Sequence, residues 1–590
     1  MAHRRTSGPR RFPVWTAASL LLFLSISHPG CFTGEHVDPY YGRVVVPNSQ
    51  DFRWIDGGLP QTFDPAFAAA PPDTDVIRAI FEGLTDYEPR TLTPVPAVAT
   101  RWESSNGGRM WTFYLREDAR WSNGDPVTAN DFVRSWKRTV KIGELAPHTE
   151  LLSNIEGANA ATSISFAQPP RQTSEEKKAT DRKTQNSSHS GLEQQFGAEA
   201  IAAHVLRVHL LRPDMNFPAL VAHPVFRPVK IKEGEFVTKI GPAELVSNGA
   251  FLLSKTEPDR VLLERADNYW GKSEVTLERV EFISANDAES ALAAYHAGEV
   301  DAVTNAAFEP LALKLLAPYQ DFRRATYGAL TYYSFNTSHP PFDDVRVREA
   351  LAIAIDRERI SEDEMGGATE PAKKFLPDLL TDSMKPVVGK SELLEKDSKR
   401  AKELLVEAGF PEGKGFPRIR LLVNRNEQQR LVAQSIAAMW RSALNIETEI
   451  VLRNWDDYEA AVRAGDYDVV RRGIVMQTTD ELTNLRMLFQ PELEMPVQPA
   501  QTKQKPTVKS ANAGANNADM VANETRVSTF QPIETERQAL NELKAMPIYF
   551  ASSYALVKPY VIGFDTNVLD APSLKRVRIE ANWREPKSAR

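Results

Sequence analysis

The stretch YYSFNTSHPPFDDVRVREALAIAIDRERI, Tyr332 to Ile360, constrains the fold of this chain more than any other part of it. An extended aromatic run stops at Pro340-Pro341, and the acidic pair Asp343 and Asp344 follows at once. Carboxylates in that position can accept hydrogen bonds from the free N–H groups of a first helical turn. Val347, Leu351 and Ile355 then recur at the spacing of a buried helical stripe. The segment reads as a strand, a turn and a capped helix, joining two structural regimes at one hinge-like point.

Length and charge bound the answer independently. A chain of 590 residues that is 42% hydrophobic can bury substantial cores and should form more than one lobe. Its formal charge is −7, and the first thirty residues hold four arginines and no acidic residue, leaving −11 on the rest. An acidic body of this kind is a poor nonspecific binder of nucleic acid, so no nucleic-acid partner is expected. Tyr and Trp total 25, which suits a protein that lines a large cleft, although such residues more often fill cores.

The N-terminus reads as an export signal. Arg4, Arg5, Arg10 and Arg11 precede an apolar run from Val14 to Ile26 that is too short to span a bilayer comfortably. Arg10-Arg11-Phe12 also fits a twin-arginine pattern, but Pro13 breaks the usual continuation, and general secretion is the expectation. Cys31, the one cysteine, follows directly behind, so residues 1–31 form a signal peptide in which Cys31 is a candidate for lipidation. His28 and Pro29 occupy places where a lipoprotein signal normally has an aliphatic and a small residue, and an incidental cysteine is the alternative. With one cysteine no internal disulfide can form.

Beyond the signal, RWIDGGLPQTFDPAFAAAPPDTDVIRAIFEGLTDYEP begins extended, turns at Gly57-Gly58 and offers a helix from Asp73 to Phe81. Trp111, Phe113 and Leu115 alternate as a strand does, Asn123 to Pro126 make a turn, and Thr128 caps a helix through Trp136. SNGAFLLSKTEPDRVLLERADNYWGK, Ser247 to Lys272, places a glycine where backbones approach closely. In it Phe251 and Leu253 alternate, and Tyr269 and Trp270 form a structural corner. AKELLVEAGFPEGKGFP is a helix closed by Gly409 and Pro411. LVAQSIAAMWRSALNIETEIVLRNWDDYEAAVRAGDYDVVRRGIVMQ gives a helix with Val432, Ile436, Met439 and Trp440 inward, a strand near Ile450, a helix near Asp456 and a strand through Val470 to Gly473. Two polar insertions, 158–195 and 496–523, lack the apolar periodicity needed to offset ordering entropy and read as mobile surface loops.

Taken together with MPIYFASSYALVKPYVIGF near the end, these motifs closely resemble the bacterial extracellular solute-binding proteins of the oligopeptide-binding family, periplasmic receptors of ABC importers. The resemblance spans roughly residues 44–157, 200–490 and 534–583. It implies an α/β, type II periplasmic-binding-protein fold: two hinged lobes with mixed sheets plus an extra domain. Lobe I would take 44–81, 225–326 and 559–590, the extra domain 82–224, and lobe II 327–558, hinged near Tyr327 and Val557. It also implies capture of peptides or peptide-like solutes in an interlobe cleft and delivery to membrane permease subunits. Peptide backbone added to exposed strand edges would supply affinity that ignores side-chain identity.

Residue by residue, the resemblance places Ala69, Ala70, Pro71 and His148 on one side of the cleft, with Asn248, Gly249 and Ala250 beside the ligand where the chain crosses between lobes. Trp455, Arg471, Gly473, Gln477 and Asp480 face them from the other lobe. For Arg471 a solvated strand edge is as reasonable as contact with a ligand carboxylate. In the resembled proteins an aspartate holds the peptide amino group where this chain has Gln477, and Ile474 stands where a tryptophan is usual. A neutral amide gives up an anchoring interaction of about 1.5–3 kcal/mol unless Asp480, three residues on, replaces it. The ligand class is therefore open to a non-peptide solute, or to a surface lipoprotein with a sensing or structural role.

An enzyme is not expected. The sequence has no HExxH, GxSxG or GxxxxGK[ST] motif, the lone cysteine lies at the export signal, and the ten histidines are scattered. His204 and His209, five apart in a segment that reads as a strand, fall on opposite faces, so neither a metal nor a cofactor is expected.

Overall fold

The computed structural model describes residues 39–158, 196–231, 239–378, 393–489 and 532–585. The export segment with Cys31, residues 159–195 of the first insertion and the whole of the second lie outside the described residues.

The first half of the molecule is organised by Asp51–Asp56, a strand whose two faces are both covered. Phe52 and Trp54 enter one core, while Ile55 packs on the other face against Tyr295, Val303 and Leu556. Parallel neighbours flank it, Arg279–Ile283 on one side and Ala302–Thr304 on the other. A parallel strand buried on both faces carries apolar side chains in both directions, as the run FRWI does. Arg260–Arg265 and Phe251–Thr256 extend this edge antiparallel.

Two long strands lead from this half into the second. Phe322–Phe335 has fourteen residues and Ala545–Val557 thirteen, and they pair antiparallel along most of their length. Their register breaks between Thr326 and Leu330, opposite Phe550 to Ser552. At the break Gly328 donates its N–H to Val568 O and accepts from Met476 N, each at 2.8 Å. Tyr327 therefore sits at the discontinuity, whereas Val557 pairs with Ala302 inside the first half. Beyond the break, Phe322–Phe335 is joined by Val469–Val475, then Ile419–Asn424 and Thr448–Arg453, completing an eleven-stranded mixed sheet that includes the short strand Thr369–Pro371.

Helices cover the second half for reasons written in the chain. Asp344 caps Val345–Ile353 by accepting from Arg346 N at 2.9 Å. Val347 and Leu351 are buried within that helix, and Ile355 is buried just beyond its end. Asn426 opens Glu427–Leu444, whose Val432, Ile436 and Trp440 are fully buried, and Trp440 donates to Leu351 O at 2.9 Å.

Between Glu82 and Pro224 the chain builds a separate four-stranded antiparallel sheet, in the order Ala99–Ser105, Met110–Leu115, Val205–His209, Ala198–Ala202. Ala129–Ile142 packs on it behind a Thr128–Asp131 capping box. Phe113, Phe132 and Trp136 of this region belong to the same continuous hydrophobic cluster as Phe52 and Trp54, so the inserted sheet shares its core with the first half.

Candidate functional site

Val469–Val475 pairs with Phe322–Phe335 at all seven positions but with Ile419–Asn424 only at Val469 and Val470. From Arg471 to Val475 it thus keeps one edge to which no strand is paired among the described residues. Ile474, on this stretch, lines a cavity of about 690 Å³. The facing wall comes from the inserted region, through Glu150 and Leu151 and through the loop Arg212 to Met215. Asp480, Thr483 and Arg486 continue the wall on the side of Ile474. A free strand edge beside a cavity of this size offers backbone donors and acceptors together with room for side chains.

Two hydrogen bonds join the walls. His223, buried in the turn at Pro224, accepts from Val225 N at Nδ1 (3.2 Å), and its Nε2 lies 3.2 Å from Gln477 Oε1. Burial first, then His148 and Arg78, push the His223 pKa well below the usual histidine range, so the ring is neutral, with its proton on Nε2. It therefore donates to Gln477, whose amide in turn donates to Val475 O at 3.3 Å. The His148 ring stands edge-on to His223 at 5.0 Å, and its Nε2 meets Ala69 O at 2.9 Å. A line of contacts thus runs from Ala69 through two imidazoles to Gln477.

The second join is Asn216, whose side-chain amide donates to Asp480 Oδ1 at 3.3 Å while its backbone N–H donates to Asp214 Oδ1 at 2.8 Å. Asp480 also accepts from Thr483 N at 2.7 Å, which caps the helix Glu481–Phe489. Burial, and next the like charge of Asp480, push the Asp214 pKa up to about 6, against a smaller opposing pull from Arg486. Burial and the neighbouring Arg212 lower the Arg486 pKa. No ion pair within 4.0 Å joins these four groups to any described residue.

The other residues singled out from sequence fall into two groups. Arg471 lies on the open strand, with one guanidinium nitrogen 3.3 Å from Thr331 Oγ1 and a buried Nε that has no hydrogen-bond partner. Gly473, two residues on, pairs with Thr331 of the neighbouring strand Phe322–Phe335, and Trp455 is 61% exposed and stacks on Tyr458, whose hydroxyl donates to Arg471 O. Ala69 and Ala70 are exposed and Pro71 half-buried at the mouth of the helix Asp73–Ile80. By contrast, the Asn248 side chain is buried and bonded to Glu82 N (3.0 Å) and Glu82 O (3.1 Å). A Cβ on Gly249 would come within 2.5 Å of Ile80 C, and Ala250 is buried against the sheet. These three hold the crossing strand against the helix Asp73–Ile80. Sequence reasoning missed His223, Asp214 and Asn216, because a lone histidine and an aspartate in a polar loop carry no spacing signal, and only the fold brings them opposite Gln477 and Asp480; it also missed Arg486, on the helix that Asp480 caps.

Residues 93–493 match the family model described as bacterial extracellular solute-binding proteins, family 5 Middle. The chain belongs to this family. It is 30% identical over 545 residues to the periplasmic murein peptide-binding protein MppA of Escherichia coli (strain K12), covering 89% of this chain and 92% of that one. To the periplasmic oligopeptide-binding protein OppA of the same strain it is 29% identical, covering 88% and 91%. A solved structure of MppA described as its unliganded open form is similar with a TM-score of 0.69 and 27% identity, over 91% of this chain and 98% of that one. The family 5 chain therefore has the type II periplasmic-binding-protein fold, and its cavity and open strand lie in a protein built to bind solutes.

Proposed function

We propose that this family 5 protein captures peptides or peptide-like solutes between its two lobes and delivers them to the permease of an ABC importer. The observation that carries the reading is the unpaired edge from Arg471 to Val475 beside a cavity of about 690 Å³. An extended peptide laid on that edge gains backbone hydrogen bonds whatever its side chains, and the roomy walls, part apolar and part polar, accept varied residues with water beside the polar ones. Ligand contacts both walls only when they are close, so binding shifts the population toward closure about the break at Gly328. The protein does not alter its solute; it binds, closes and releases.

The names of the periplasmic relatives and the basic, apolar N-terminus support export to the periplasm or cell envelope. Lipidation at Cys31 would add a membrane anchor, which the mass of the mature N-terminal peptide reads out. No helix among the described residues is long and apolar enough to cross a membrane.

Gln477 favours a second reading, a non-peptide solute, because its amide carbonyl is occupied by His223 and carries no charge for an amino terminus. Native mass spectrometry of gently purified protein separates the two. Co-purified masses that fragment as peptides support the first reading, and a bound non-peptide species with no peptide overturns it.

A further inference from the structure

Loop 567–571, between the short strand Val561–Ile562 and the end of the chain, connects to both walls of the cavity without lining it. Asn567 at its root is 1% exposed, and every donor and acceptor place of its side-chain amide is filled. The carbonyl oxygen accepts from Leu569 N and Ala571 N, each at 3.1 Å, and the amide nitrogen donates to Ala571 O at 2.9 Å. These bonds fix the loop on itself. One more, from the amide nitrogen to Pro89 O at 3.0 Å, ties it to the inserted region that carries one wall. Val568 and Leu569 strengthen the tie by packing with Tyr87, Leu92, Ala219 and Ala222.

The same loop grips both long strands at or beside the register break. Val568 O accepts from Gly328 N, and Asp570 Oδ1 accepts from Ser553 Oγ at 3.0 Å. Gly328 O in turn accepts from Met476 N, directly after the open-edged strand and directly before Gln477. A Cβ at position 328 would meet Val568 O at 3.1 Å and Met476 Cβ at 3.3 Å, so the three segments pack at a spacing suited to glycine. A line of contacts thus runs from Pro89 through Asn567, Val568 and Gly328 to Met476, from one wall of the cavity to the other.

We propose that Asn567 is a positioning residue for solute capture: it fixes loop 567–571 and, through Gly328, sets the pose of the strand end before Gln477 against the inserted wall. A protein whose walls hold a binding-competent pose only part of the time binds with its intrinsic affinity reduced by that fraction. Asn567 does not line the cavity, so its loss acts on the empty protein. Once a solute bridges the walls it takes over the positioning, and the contacts that retain it are unchanged. Loss of Asn567 therefore slows association and leaves dissociation nearly as it was. The pose of the walls matters for whichever solute the cleft takes.

The test uses the mature chain, with Cys31→Ser so that no native thiol competes for label. Nitroxides at Leu145→Cys in the inserted region and Val406→Cys in the second half, side chains that are 70% and 56% exposed, report the spacing of the walls by pulsed electron paramagnetic resonance without solute. Association and dissociation rates are read by stopped-flow fluorescence for the peptide that the parent retains best from a pool of di- to hexapeptides. Asn567→Ala removes every bond of the side chain, whereas Asn567→Asp keeps the acceptor for Leu569 N and Ala571 N and loses the donor to Pro89 O. Ser553→Ala releases only the grip of Asp570.

Both Asn567 variants are expected to broaden the distance distribution and to slow association about fivefold or more, with dissociation within about twofold of the parent. Ser553→Ala is expected to shift both readouts the same way and by less. A lowered urea midpoint with parent-like distances and rates would make Asn567 a structural residue only and overturn the proposal. Faster dissociation at unchanged association overturns it too, because the loss would then lie in the bound state. If neither Asn567 variant folds, Ser553→Ala decides, and parent-like distances and rates in it count against the proposal. If no peptide is retained, the peptide reading of the cleft fails, and the distance distributions alone decide the role of Asn567.

Discussion

His223 Nε2 and Gln477 Oε1 lie 3.2 Å apart and join the inserted region to the strand that carries the open edge. The carbonyl of Gln477 is taken by a neutral, buried imidazole. Gln477→Ala leaves the Nε2–H of His223 without an acceptor in a site that is 2% exposed. The expected cost is about 1–3 kcal/mol, read as a lower urea midpoint, with little change in affinity for a captured solute. A tenfold or greater loss of affinity at unchanged stability would instead make Gln477 a ligand contact.

Glu82 is a junction on which several elements depend. It accepts from Tyr269 OH and Trp270 Nε1, each at 2.5 Å, and from Lys575 at 3.1 Å, and its side chain is 2% exposed. Glu82→Ala strands two donors, Tyr269 OH and Trp270 Nε1, while Lys575 keeps Asp86 at 2.6 Å, and is expected to cost about 1–3 kcal/mol for each donor left unsatisfied. Equilibrium unfolding in guanidinium reads this directly, and a loss below about 1 kcal/mol would contradict the role.

Gly249→Ala tests whether this position serves packing or ligand. The new methyl would meet the backbone of Ala79 and Ile80 at 2.5–2.7 Å, and Gly249 N already donates to Ile80 O at 2.8 Å. Overpacking against backbone is expected to cost about 1–3 kcal/mol or more. Thermal unfolding should shift downward while solute affinity of the folded fraction stays within a few-fold. Unchanged stability with lost affinity would place the glycine against the ligand.

Asp56 and Asp75 lie fully buried at the end of the first strand and on the helix Asp73–Ile80, with Asp570 nearby. Burial first raises the Asp56 pKa to about 6, and burial with the like charge of Asp56 holds Asp75 well above its ordinary value against the pull of Arg78, 2.9 Å from it. The folded state therefore binds protons more tightly than the unfolded chain. The sign follows: this contribution is full below the unfolded value near 4 and is lost as pH rises through about 6. Asp75→Asn should flatten stability between pH 4 and 7 and raise it at pH 8. A variant with the same pH slope as the parent would show that the pair does not set it.

Much of this architecture was legible in the chain because it rests on local patterns. Asp344 caps a helix, Thr128 starts another, and Trp440 and Ile436 face a core at helical spacing, so the motifs led directly to the strands and helices that form. The alternation in Trp111, Phe113 and Leu115 likewise became a strand of the inserted sheet. The cleft was only half legible. Arg471, Gly473, Gln477 and Asp480 lie on or beside one strand and could be found together. Their opposite numbers, Asp214, Asn216 and His223, are more than 250 positions away in sequence and meet them only through folding. Asn248 and Gly249, singled out by resemblance, are held through the Asn248 side chain on the Glu82 backbone and the Gly249 N–H on Ile80 O. Of the two positions expected at the hinge, Tyr327 lies at the register break of the long ladder and Val557 lies away from it, the break facing Phe550 to Ser552 on the partner strand.

Capture of a peptide along the free edge from Arg471 to Val475 is the central claim, and backbone chemistry tests it most directly. The peptide best retained from a mixed pool is titrated calorimetrically beside versions with single backbone N–H groups replaced by N-methyl. At least one such replacement is expected to weaken binding about tenfold or more, with alternate positions unaffected, as strand pairing requires. Equal affinity for every N-methylated version, or no heat from any peptide, would contradict the account.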